Sequence, residues 1–163
     1  LQGVVVIIQI AVGVFLGLVV FFFVYKYFSE KAEQSARINK EKQEKVKTYL
    51  SEFEGRLSAH FNILLDVFIK RLQTLEDDPS ITYQEAGLIE LRLLMEQCGK
   101  DVEFIQDEER PRIDSLYALS DDEKIHLKNE VTSLTNSKSN DLQLVSLKLF
   151  EEKVLEIANA RVN

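Results

Sequence analysis

The chain has 163 residues, with 27 acidic against 20 basic side chains and a net charge of −7. That balance, with no basic patch outside the segment that follows the first apolar run, excludes ordinary nucleic-acid binding. A single cysteine, Cys98, excludes a disulfide framework and a multi-cysteine zinc site, and the absence of tryptophan with only two prolines favours a mostly helical protein.

From Leu1 to Val24 no residue is charged, and only Gln2 and Gln9 are clearly polar. At about 1.5 Å per residue such a stretch covers roughly 36 Å, enough to cross a hydrocarbon core about 30 Å thick. A helix is the open-ended structure that satisfies its own backbone in lipid. We read residues 1–27 as a transmembrane helix. A signal peptide has a shorter apolar core, a basic start and a small-residue cleavage site, none of which is visible around Tyr25-Lys26-Tyr27-Phe28. The lipid bilayer is therefore the first expected partner. Gly13 and Gly17 are four apart, the small-xxx-small spacing that lets membrane helices approach closely, and Gln9 sits at mid-depth beside them. Self-association, or packing against another membrane helix, is the expectation there.

Lys26, Lys31, Arg37, Lys40, Lys42, Lys45 and Lys47 follow the run closely, and no basic residue precedes it. The positive-inside tendency then places the C-terminal part in the cytoplasm. The chain opens at Leu1 rather than Met, and residues ahead of it would bear on that orientation. Residues 28–45 are polar almost all round, with Glu33–Arg37 and Glu41–Lys45 in the favourable acid-before-base order. They read as a charged helical stalk.

Residues 46–163 read as a helical bundle of three to four helices. Apolar residues fall at Val46, Leu50, Phe53, Leu57, Phe61, Leu64, Phe68, Leu72 and Leu75. The steps of three and four repeat every eleven residues, about 3.67 per turn, which suits nearly straight packing rather than a left-handed coiled coil. With Tyr49, Ile63, Leu65, Val67 and Ile69 alongside, the stripe is broad enough for more than one neighbour. The first bundle helix spans about 46–76.

Glu76-Asp77-Asp78-Pro79-Ser80 is a break. Thr82 and Glu85 have capping-box spacing, so a second helix runs over about 82–109, with Leu88, Leu91, Leu94 or Met95, Cys98, Val102 and Ile105 facing inward. Pro111 stops or kinks it. Ser120 and Glu123 form a second capping box, opening a helix over about 121–134 that carries Ile125, Leu127, Val131 and Leu134. Thr135 to Asn140 is small and polar, hence a loop. The last helix covers about 141–160, with Leu142, Val145, Leu149, Val154, Ile157 and Ala158 on its buried side.

Little here carries chemistry. Glu123 and His126 have the Glu-x-x-His spacing of di-iron bundles, which use it twice; no second copy exists, since Leu57 stands three before His60. His60 borders Phe61 at the edge of the stripe. Cys98 on an apolar face reads as a small buried hydrophobe. The acid-rich stretch holding Asp107, Glu108, Glu109, Asp121, Asp122 and Glu123 reads as a solvated edge, or as a docking surface for a basic partner. No cofactor, metal or small-molecule substrate is implied.

The expected protein is all-α, single-pass and non-enzymatic: a membrane-anchored interaction or scaffold subunit that self-associates or binds another helical protein. The alternative is a ligand-sensing domain. In architecture only, the pattern resembles the four-helix input domains of bacterial chemoreceptors and sensor kinases, whose first helix continues out of a membrane span.

Overall fold

In the computed structural model, residues 2–162 are described. They form three helices: α1 at Gln2–Asp77, α2 at Tyr83–Asp114 and α3 at Asp121–Val162. The fold is all-α among the described residues, and it divides into two compact units, Leu1–Lys45 and Val46–Asn163.

The first unit is the leading part of α1. Its apolar side chains lie open: Ile7, Phe15 and Phe21 are among the most exposed large hydrophobics of the chain. This is one helix long and apolar enough to cross a membrane, and none of its most apolar window is buried. The polar remainder contains neither glycine nor proline from Phe28 to Lys45, so nothing in the backbone interrupts the helix.

The second unit is built on one apolar core drawn from all three helices. The α1 stripe supplies Phe53, Leu57, Phe61, Phe68 and Leu72 as buried residues, with Val46, Leu50, Leu64 and Leu75 partly buried against them. Side-chain pairs set the register. Tyr49 meets Glu109, His60 meets Asp101 and Arg71 meets Glu90, so α2 runs antiparallel to α1. Glu54 pairs with Lys138 and Glu76 with Lys153, so α3 runs parallel to it.

The turn between α1 and α2 is held by Asp78, whose carboxylate accepts from Ser80 N–H at 2.9 Å and Ser80 Oγ at 2.6 Å. Those bonds hold the Asp78 carboxyl below the usual carboxylate range. Thr82 is the N-cap of α2 in extended backbone, yet its hydroxyl makes no capping bond, so the expected capping box is absent there. At α3 the Ser120 hydroxyl does accept from Glu123 N–H, at 3.2 Å.

Two helix boundaries differ from the sequence expectation. Pro111 does not end α2; it lies inside the last turn, and the helix continues to Asp114. Ile113, only 1 % exposed, anchors that turn in the core, and Ser115 closes it by donating from its amide to Pro111 O and from its hydroxyl to Arg112 O. The larger correction concerns Thr135 to Asn140, which form no loop: α3 is one helix of 42 residues where two were expected. Thr135 and Ser139 point into the core together with Ser146. The Thr135 hydroxyl donates to Val131 O at 2.7 Å, so its polarity is satisfied inside its own helix.

These small residues shift the inward register. Phe150 and Ser146 are buried, whereas Val145 is 45 % exposed and Ala158 is exposed. On α2, Gly87 rather than Leu88 faces inward. A Cβ on Gly87 would stand 2.4 Å from the Phe150 ring, so the missing side chain makes the notch that Phe150 fills. Tyr83 stacks on the same ring, with centroids 6.1 Å apart. Ile125, expected inward, is also exposed.

Candidate functional site

Glu109 is the most unusual side chain of the second unit. Its residue is 4 % exposed although it is a carboxylate. It occupies the inward register of α2 between Ile105 and Ile113, so it was not part of a solvated acidic edge, and that part of the sequence expectation is corrected. Asp107, Glu108, Asp121, Asp122 and Glu123 do lie exposed. The Tyr49 hydroxyl donates to Glu109 Oε2, Arg112 Nη1 donates to Oε1 at 2.9 Å, and Arg56 Nη2 stands 3.5 Å from Oε1. Burial, then the bond to the Glu109 carboxylate, pushes the Tyr49 phenol above its ordinary range. The cluster ties α1 to the last turns of α2 through charge-assisted bonds.

A second polar junction lies closer to the middle of these helices. His60 Nε2 is 2.8 Å from Asp101 Oδ2, and Gln97 Nε2 donates to the other carboxylate oxygen at 2.7 Å. His60 also meets the Phe61 ring edge-on. Cys98 lies nearby and is fully buried. Burial pushes its thiol up despite a hydrogen bond with Ser139, so at neutral pH it is a protonated, inaccessible group rather than a nucleophile. His126 pairs with Glu130 at 3.2 Å. Among the described residues no three His, Cys, Asp or Glu side chains gather closely enough to hold a metal ion.

Two further features concern surfaces. Between α1 and α2 runs a groove of about 360 Å³, lined in part by Val67, Arg71, Glu90 and Leu93. In the first unit, a Cβ added to Gly13 or Gly17 would meet nothing within 4 Å, so both glycines lie on an open face. At the far end of the second unit Lys153 bridges Glu76 at 2.7 Å, and that hydrogen bond raises its pKa. Burial, then Glu76, raises that of Tyr83.

By residue type alone Glu109, Thr135, Ser139 and Ser146 belong in solvent, yet all four are buried. The available signal was register: Cys98, Ile105, Glu109 and Ile113 share one face of a helix of ordinary pitch.

Fold and surfaces together define a class: an all-helical domain with one apolar N-terminal helix of membrane-crossing length. Comparison with protein-family models, curated proteins and solved structures gives no match for this chain.

Proposed function

We propose that this chain is a single-pass membrane protein whose C-terminal helical unit acts as a self-associating scaffold or interaction subunit on the cytoplasmic side, with no reaction of its own. The observation that carries this reading is the apolar helix itself, whose large apolar side chains between Val4 and Phe28 stand open, the half-buried Val19 apart. An exposed apolar surface of this length is tolerated in lipid and costly in water. The basic residues from Lys26 to Lys47 support the cytoplasmic side. The open faces of Gly13 and Gly17 support close approach of a second span.

The test of this reading combines mass and accessibility. Full-length protein in mild detergent should scatter light as a multiple of the protomer mass. A Ser137→Cys variant in a Cys98→Ala background should resist a membrane-impermeant maleimide in intact cells. A strictly monomeric protein would refute self-association, and a labelled Ser137→Cys would refute the orientation.

A further inference from the structure

The C-terminal half of α3 carries apolar side chains on two opposite sides. One side is the core, where Leu142, Ser146 and Phe150 are buried. The other holds Leu144 at 64 % and Leu155 at 61 % exposure. At about 100° per residue, Leu144, Lys148, Glu151 and Leu155 fall within about 60° of arc, so they form one line along the outer face of the helix. A single exposed leucine is ordinary at a protein surface. This line is set apart by its order. The midpoint of the two leucines is also the midpoint of the lysine and the glutamate, so the line read backwards is the same line with its charges exchanged.

The two charges are free to be used. Lys148 and Glu151 are exposed, and among the described residues neither has an ion-pair or hydrogen-bond partner. Lys153, on the inner flank, is by contrast held by Glu76 and Glu156. An occupant laid along the line must offer apolar groups at both ends and, between them, an acid opposite Lys148 and a base opposite Glu151. A second α3 turned end for end does so. Leu155 of the copy lies against Leu144, Glu151 against Lys148, and each contact occurs twice. At the margins Asp141 meets Ala158 and Ser137 meets Val162, so no like charges face each other. A parallel copy would set Lys148 on Lys148 and Glu151 on Glu151, and like charges at one level repel.

We propose that the outer face of α3 seats α3 of a second copy, antiparallel, about a two-fold axis that crosses the helix between Leu149 and Phe150. Such self-complementarity is what an isologous contact demands. Within each second unit α1 runs parallel to α3, so the α1 segments of two paired units run in opposite directions. The contact is therefore distinct from an approach of spans through Gly13 and Gly17. It rests on the self-association proposed above and names a surface for it outside the span.

The test uses full-length protein in mild detergent, which leaves copies free to meet in either direction, with Cys98→Ala as background. One tagged copy carries Leu144→Cys and a second, differently tagged copy carries Leu155→Cys. Mild oxidation should give a disulfide-linked pair bearing both tags. Two differently tagged copies that both carry Leu144→Cys should link at least tenfold less, because the antiparallel pair holds those positions about 16 Å apart along the axis. Lys148→Glu or Glu151→Lys, placed in both copies, should each lower the Leu144→Cys to Leu155→Cys yield about tenfold, and the double exchange should restore it. All these positions are exposed, and melting of each variant by circular dichroism separates lost contact from lost fold.

A multimeric protein that forms no Leu144→Cys to Leu155→Cys link overturns this surface while self-association stands. A monomer by light scattering overturns both. Equal linkage between two Leu144→Cys copies, or a yield indifferent to the single charge reversals, also overturns the proposal.

Discussion

Replacing Tyr49 by phenylalanine removes one oxygen and leaves the ring in place. In the native protein that hydroxyl donates to the carboxylate of Glu109, a residue 4 % exposed. A hydrogen bond to a charged group contributes about 1.5–3 kcal/mol, and the phenylalanine variant creates almost no cavity. Arg112 and Arg56 still face the carboxylate, which keeps the expected loss near the lower end, about 1.5 kcal/mol. The change also carries a signature in pH. The Tyr49 phenol is raised above its ordinary value of about 10 in the folded protein. A raised pKa means that the folded state holds the proton more tightly than the unfolded chain. Its contribution is complete below about pH 10 and is lost as pH rises toward the folded value, with a slope of at most about 1.4 kcal/mol per pH unit before solvent screening. Urea titrations in mild detergent, followed by far-ultraviolet circular dichroism at pH 7 and again between pH 9.5 and 11, measure both effects. Tyr83 and Lys153 are raised as well, so the comparison is of slopes: Tyr49→Phe should lose less stability with alkali than the natural chain. Equal stability at pH 7 together with an equal alkaline slope would refute the role given to the Tyr49–Glu109 bond.

Other consequences follow from the packing. Gly87→Ala drives a methyl group into the Phe150 ring, 2.4 Å from its nearest atom, and should destabilise the C-terminal unit by about 1–3 kcal/mol; adding Phe150→Leu should recover part of the loss in the same melt. Ser137→Pro falls in the middle of α3 and should cost about 3 kcal/mol or more, whereas a loop at that position would accept it with little change in melting temperature. Cys98 is fully buried with its thiol pushed up. A neutral maleimide should therefore label it only at the rate of unfolding, so labelling in native protein should be slow and should accelerate sharply in urea.

How far the sequence disclosed this molecule depended on whether residue type and position agreed. Along α1 they agreed. The apolar residues of its second half recur at three and four, and each of Phe53, Leu57, Phe61, Phe68 and Leu72 is buried. Along α3 they disagreed. Thr135, Ser139 and Ser146 are small and polar, the composition of a loop, but they occupy inward positions of one continuous helix. A hydroxyl that bonds back to its own helix, as Thr135 does to Val131, costs little when buried, and a small side chain lets α2 come close. Glu109 disagreed in the same way: an acid among acids, it holds the inward register between Ile105 and Ile113 and is met by Tyr49, Arg56 and Arg112. Tyr49 and Arg56 come from a distant part of the chain, and Arg112, three residues on, lies past Pro111, where the expected helix had already ended. Gly87 is the converse case. Its role exists only because Phe150 arrives from α3.

The central claim is that the N-terminal apolar helix holds this protein in a bilayer. Alkaline carbonate extraction of membranes containing the full chain tests it most directly, with a Leu16→Arg, Val20→Arg variant alongside. The account predicts that the natural chain stays in the membrane pellet after carbonate and high salt, and that the double arginine variant, which places two charges where lipid tails would lie, is released in large part. A natural chain recovered in the supernatant would contradict it.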